Sequence, residues 1–280
     1  MTGQSLDARA AGRQFRAPFL AYRSMARMAL RSLIAYQTSF VFNLLASAFA
    51  ALAMLYLWHA VLRNGGGAIG FDWAHMKAYL LITFISGSLV SSYTDYRMAF
   101  RIRQGDVAMD LVRPVDYQRA RFAETCGFAV YEAGTAITVA ACAAVAFGGV
   151  PAPPLRAWGL FLLSALLVLP LRFGVVYASG LLTFWTQNYV GVQAARIALV
   201  TFLSGALVPL GLLPEWLRWI ANVLPFAGMA STPALVYVGH LTGRAAVTAV
   251  AVQAAWSVAL WVLARAFWQR ASRQLTVHGG

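Results

Sequence analysis

The side chains with acid, base or nucleophilic chemistry are few in this sequence and lie far apart. The four histidines stand at positions 59, 75, 240 and 278, and the two cysteines, 126 and 142, are separated along one apolar segment. No HExxH motif, Cys/His cluster or GxSxG motif occurs, so we predict neither a metal site nor an activated serine. The single lysine, Lys77, belongs to no Gly-rich phosphate-binding loop. We therefore expect no catalytic site, metal or cofactor in this chain.

Two charged residues fall inside apolar segments, where a charge has the largest energetic consequence. Glu132 lies near the middle of one segment and Arg172 near the middle of the next. A charge in hydrocarbon is costly unless it faces protein or water and finds a partner. We predict that Glu132 and Arg172 approach one another, either as a structural pair or as a relay for protons or substrate. The absence of further acids or histidines nearby in sequence favours the structural pair.

The composition indicates which elements must position these charges. Of 280 residues, 60% are hydrophobic and only 11% are charged, which excludes a water-soluble globule. Several apolar runs are long enough, at about 1.5 Å per residue, to cross a hydrocarbon core of about 30 Å. We predict an all-α membrane protein that forms a single transmembrane domain over 1–280. Six transmembrane helices are expected at 39–62, 76–93, 122–147, 158–182, 197–213 and 245–263.

The net charge of +13 comes almost entirely from arginine and lies between the apolar runs. This placement is typical of membrane topology rather than of nucleic-acid binding, so no nucleic acid is expected as a partner. With six spans, sixteen basic residues fall on the side of the termini and five on the other side. The positive-inside rule then places both termini in the cytoplasm.

The stretch 214–241 is apolar enough to be mistaken for a seventh span. A full crossing there would place the C-terminal arginines outside, and three prolines interrupt the stretch. Two short re-entrant half-helices or an amphipathic segment on the external side fit better. We predict an aromatic anchor at the outer interface or, alternatively, a lid over an exit path. The residues that carry this prediction are Pro214, Glu215, Trp216, Arg218, Trp219 and Pro225.

The N-terminal arm, 13–35, has helical periodicity with an apolar face and an arginine face. Such an amphipathic helix lies at the membrane interface, where its arginines meet lipid phosphates or a cytoplasmic partner. The arginines on this face are Arg16, Arg23, Arg27 and Arg31.

The cytoplasmic loop 97–121 is the longest polar stretch between predicted spans. Gly105 breaks the preceding helix, and Asp106 is suited to cap a new one. Pro114 forces Arg113 out of helical geometry. The loop therefore predicts one or two exposed turns of helix.

Within this short helix, Val107 and Leu111 are four residues apart and are expected on one face. A helix tied at both ends to membrane helices can transmit a push from a soluble motor to the spans. The alternative is an ordinary solvated loop. The candidate coupling residues are Gly105, Asp106, Val107, Leu111, Arg113 and Pro114.

Together these features resemble the permease (transmembrane) subunit of a type-2 ABC exporter, in a bacterial branch encoded beside an ATPase. The resemblance covers nearly the whole chain. It rests on the basic arm, the six spans, the loop IRQGDVAMDLVRP and the external segment LPEWLRWIANVLPF. The part of the loop from Gly105 to Pro114 is its most specific element.

The resemblance implies that the loop between spans 2 and 3 carries a coupling helix that docks on an ATPase. It also implies short external helices that dip into the outer leaflet, and a second permease subunit, identical or related. The resemblance places the assembly in a bacterial cytoplasmic (inner) membrane. Two copies of an ABC ATPase would bind ATP and Mg²⁺, so this chain is not itself expected to be an enzyme. The cargo is not named, although the few charges in the spans favour an amphipathic or apolar one.

Two other classes of function remain open from the residues. An ATP-independent secondary transporter or channel would use Glu132 and Arg172 as a coupling pair. A membrane-embedded enzyme or assembly scaffold would need a convergent polar site, which the sequence does not display. An ATPase gene beside this one distinguishes the motor-driven permease from the secondary transporter.

Overall fold

The computed structural model describes residues 20–33, 37–64, 72–90, 92–112, 115–186 and 189–273. Within these ranges the chain is helical and contains no strand, which confirms the predicted all-α class. Short 3₁₀ turns flank several of the helices. The α-helices are α1 (20–33), α2 (Gln37–Arg63), α3 (Trp73–Ser88), α4 (Ser92–Gln104), α5 (Val107–Leu111), α6 (Tyr117–Ala146), α7 (Trp158–Leu181), α8 (Tyr189–Leu203), α9 (Glu215–Val223), α10 (Ser231–Tyr237) and α11 (Gly243–Ser272).

Four helices of the described chain are long and apolar enough to cross a membrane. They are Val41–Arg63 in α2, Tyr117–Ala146, Leu155–Phe184 around α7, and Gly243–Ser272. α3 has 16 residues and α8 has 15. At about 1.5 Å per residue, each is shorter than a hydrocarbon core of about 30 Å. The structure therefore supports four spans, and the count of six stays a prediction.

The helix that corresponds to the second predicted span is shifted towards the N-terminus. α3 begins at Trp73 instead of 76, because the Asp72 carboxylate accepts a hydrogen bond from His75 N at 3.1 Å and caps the helix. It ends at Ser88 and is followed by a turn, whereas the prediction continued the span to 93. The cap and the turn are local features that a hydropathy window averages away.

α8 ends at Leu203, so the predicted span 197–213 is wrong in its second half. Gly205 follows with φ of +79°, a conformation that residues with a side chain rarely adopt. A Cβ there would also stand 2.8 Å from the Tyr79 hydroxyl. That hydroxyl donates a hydrogen bond to Gly205 O at 2.8 Å and holds the turn against α3. The apolar residues after Leu203 therefore form turns instead of a continued helix.

α7 and α11 pack closely against each other. A Cβ at Gly174 would lie 2.7 Å from Leu260 Cβ, so the missing side chain permits this approach. Gln253 of α11 is 2% exposed, accepts a hydrogen bond from Ser164 Oγ at 2.7 Å and donates one to Ser164 O at 2.8 Å. Because these polar groups satisfy one another in an apolar interior, they fix the two helices relative to each other.

Two short helices, α9 and α10, occupy the stretch 214–241 and are too short to cross a membrane. Gln253 Nε2 donates to Gly228 O at 2.9 Å, and Trp256 Nε1 donates to Val223 O at 3.0 Å. These two side chains stand about 15–20 Å along α11 from its start. The stretch therefore dips into the bundle, where α10 packs against α3 and α7.

Candidate functional site

The turn between α4 and α5 forms one end of the bundle. Gly105 has φ of +79°, and no atom lies within 4 Å of the position that a Cβ would take there, so the backbone conformation rather than crowding favours glycine. Asp106 occupies the first position before α5, but its side chain makes no capping hydrogen bond. The expected helix break at Gly105 and the short helix after it are present, whereas the capping role of Asp106 is not. Arg113 and Pro114 lie outside the described residues.

Val107 and Leu111 were expected to share a face; they lie about 40° apart around the axis of α5, but they differ in burial. Val107 is fully buried in an apolar cluster with Ile102 and Tyr117, whereas Leu111 is 46% exposed. At about 100° per residue, Leu111 and Asp110 lie on opposite sides of Val107 around the helix axis. The bundle lies on the side of Asp110, which is 4% exposed.

Asp110 is the residue that attaches α5 to its neighbours. Its Oδ1 accepts a hydrogen bond from Arg101 Nη2 of α4 at 2.9 Å, and its Oδ2 lies 3.7 Å from Arg121 Nη2 of α6. Arg121 also pairs with Glu124 at 2.9 Å. Buried charges are tolerated when they are paired in this way. The sequence analysis missed this network, although the i, i+3 spacing from the apolar Val107 was an available signal.

The opposite side of α5 is an exposed apolar surface. Met109 is 71% exposed, Leu111 46% and Val112 84%. This surface, which we call the α5 surface, consists of those three residues. The α5 surface belongs to none of the four helices that are long enough to span a membrane. A cluster of exposed apolar side chains marks a site that binds another protein or a membrane.

α1 packs on the same end of the bundle. The Tyr22 hydroxyl accepts a hydrogen bond from Asp116 N at 3.2 Å, just before α6 begins. A Cβ at Gly127 would stand 2.1 Å from Ala26 O, so the backbones of α1 and α6 are in direct contact. Asp116 Oδ2 also lies 3.5 Å from Arg265 Nη1 of α11. α1 is therefore fastened to α6 close to α5.

The arginine face predicted for α1 is partly described. Arg23, Arg27 and Arg31 are exposed on successive turns of α1. Arg16 lies outside the described residues. These exposed arginines can contact the anionic headgroups of a membrane surface, as expected of an interfacial helix.

Arg172 lies in the interior of the bundle on α7. Its Nη1 donates a hydrogen bond to Ser86 O of α3 at 2.7 Å. It also interacts electrostatically with Glu132 of α6 and with Arg196 of α8. Arg196 was not singled out from the sequence. The direct ion pair between Glu132 and Arg172 stays a prediction, and the structure adds a second cation to this interior cluster.

α9 presents its polar and aromatic residues outward. Trp216 and Trp219 are each 66% exposed, and Ala221 on the opposite face is fully buried. Glu215 and Arg218 are also exposed, whereas Pro225 is buried. Pro214 precedes the first turn of the helix. An exposed aromatic face of this kind fits a membrane interface.

The comparisons with known proteins give one family match. The family model described as "ABC-2 family transporter protein" matches residues 48–279. This range includes the α5 surface, the interior cluster around Arg172 and the stretch 214–241. No curated protein matches the chain.

Proposed function

The chain belongs to the ABC-2 family of transporter proteins, and we propose that it is the permease subunit of an ATP-driven exporter. It is a membrane-embedded component with several apolar helices. In the proposal, the chain forms half of a translocation path and obtains its energy from a separate ATPase. ATP and Mg²⁺ bind to that partner.

The observation that carries the proposal is the polarity of α5. Its charged residue, Asp110, points inward and is paired, while the α5 surface points outward with Met109, Leu111 and Val112. A solvated loop would expose its charge and bury its apolar groups. The reversed arrangement is the one expected of a helix that docks on a soluble protein.

The connections of α5 supply a path for coupling. Motion of α5 is passed to α4 through Arg101 and to α6 through Arg121, because both guanidiniums hold the same carboxylate. The α1 helix rests on α6 beside this point. We propose that closure of the ATPase dimer displaces α5 and that α4 and α6 then rearrange the spans.

The assembly we propose contains two ATPase copies and two permease subunits, identical or related. It lies in a bacterial cytoplasmic membrane with both chain termini and α5 on the cytoplasmic side, as the distribution of arginine favours. Membrane lipids contact the exposed arginines of α1. The interior cluster of Glu132, Arg172 and Arg196 is assigned a structural role in the assembly.

Affinity purification of the tagged chain from its native host in mild detergent tests this function. We expect an ABC ATPase in the eluate by mass spectrometry, together with ATP hydrolysis. Leu111→Asp should remove the ATPase, because a charge is placed on the docking surface. Leu212→Asp is the matched control, since Leu212 is 37% exposed and lies in a 3₁₀ turn that is not part of the α5 surface.

The alternative, a secondary transporter, is favoured by one observation, the charged cluster around Arg172 in the interior of the bundle. In that case the purified chain would contain no ATPase, although a control ABC complex from the same membranes stayed intact. Glu132→Gln would then abolish transport without affecting assembly.

A further inference from the structure

A cavity of about 570 Å³ opens at the end of the bundle opposite α5. It lies where α7 and α11 begin, and the stretch after α10 closes one side. Its walls are apolar, with Leu160 of α7, Val236 of α10, and Leu241 and Val247 beside the start of α11. A volume between about 300 and 1,000 Å³ is typical of sites for small ligands.

The mouth of this cavity carries two positive charges. Arg156, from the turn before α7, and Arg244, from the first turn of α11, both line it and are both exposed. Neither guanidinium forms an ion pair with another of the described residues. The sequence places five basic residues on this side under the predicted topology, and two of them meet at one cavity.

We propose that this cavity binds an anionic phospholipid of the membrane leaflet opposite α5. The acyl chain lies against Leu160 and Val247, and the phosphate is held by the guanidiniums of Arg156 and Arg244. Guanidinium groups match phosphate oxygens in charge and in geometry. The apolar walls are complementary to the acyl chain of such a lipid, and the two arginines at the mouth are complementary to its anionic headgroup.

The position of the cavity also gives the lipid a role. α7 and α11 are the two helices that Gly174 and Gln253 hold together, and α10 belongs to the re-entrant stretch that Gln253 fastens. A lipid bound between the starts of α7 and α11 therefore stabilises the position of the stretch 214–241. This binding does not depend on an ATPase, so it is independent of the proposed function.

Native mass spectrometry of the full chain tests the proposal. The delipidated protein is titrated with phosphatidylglycerol and, separately, with phosphatidylcholine. We expect retention of phosphatidylglycerol over phosphatidylcholine, and about tenfold weaker retention for the double variant R156Q/R244Q, because its charge-assisted hydrogen bonds are lost. R218Q is the matched control, since Arg218 is exposed on α9 and does not line the cavity.

A second pair of variants tests the apolar walls. Val247 is 54% exposed and lines the cavity, whereas Val258 on the same helix is 65% exposed and does not. V247W should fill the cavity and weaken phosphatidylglycerol retention, and V258W should not. Equal retention by R156Q/R244Q and the native chain, an equal loss in R218Q, or equal retention by the two tryptophan variants would overturn the proposal.

Discussion

Arg101 Nη2 donates a hydrogen bond to Asp110 Oδ1 at 2.9 Å across the turn at Gly105, and the Asp110 side chain is buried. This contact joins the last turn of α4 to α5. It turns the charged side of α5 inward and leaves the α5 surface outside.

Replacing Asp110 with asparagine should destabilise the chain. The change leaves the guanidiniums of Arg101 and Arg121 beside an uncharged partner in a buried place, at a cost of about 3 kcal/mol. We expect the thermal unfolding midpoint in detergent to fall by about 5–10 °C. Asp106→Asn is the control, because the Asp106 side chain is exposed and makes no capping bond. Equal midpoints for the two variants would show that the network does not hold α5.

Replacing Gly127 with alanine should detach α1 from α6. The new Cβ would stand 2.1 Å from Ala26 O, which is impossible without displacement of the helix. We expect faster trypsin cleavage at Arg23 and Arg27 in protein reconstituted in nanodiscs. Gly134→Ala on the same helix should leave cleavage unchanged, since no atom lies within 4 Å of its Cβ position.

Replacing Gln253 with leucine should loosen the stretch 214–241. Ser164 and Gly228 O would lose their hydrogen-bond partner in the interior, at a cost of about 2–4 kcal/mol. The thermal midpoint should fall, and hydrogen exchange should increase around Gly228. Gln269→Leu tests the same substitution at an exposed position of α11 and should change neither measurement.

Glu132 and Arg172 should be energetically coupled. In a double-mutant cycle of Glu132→Gln and Arg172→Gln, we expect the double variant to lose less stability than the sum of the losses in the two single variants. The coupling should be about 1 kcal/mol or more, as for residues of one charged network. Additive effects on the thermal midpoint would contradict an interaction between these two side chains.

The sequence predicted the helical class and the short helix after Gly105, because composition and glycine are local signals. It did not predict where α8 ends, since that depends on the contact of Gly205 with Tyr79, 126 residues away. It also missed the inward position of Asp110. Its i, i+3 spacing from Val107 was compatible with an inward position, but tertiary packing decides which side of a five-residue helix meets the bundle.

We propose that the α5 surface docks on an ATPase. Its most direct test places the photo-crosslinking residue p-benzoylphenylalanine at Val112, which is 84% exposed, and irradiates native membranes. We expect a crosslinked product that contains an ABC ATPase, and no such product when the probe replaces Leu212. Crosslinking at Val112 to lipid or to this chain alone, in membranes where the ATPase is present, would contradict it.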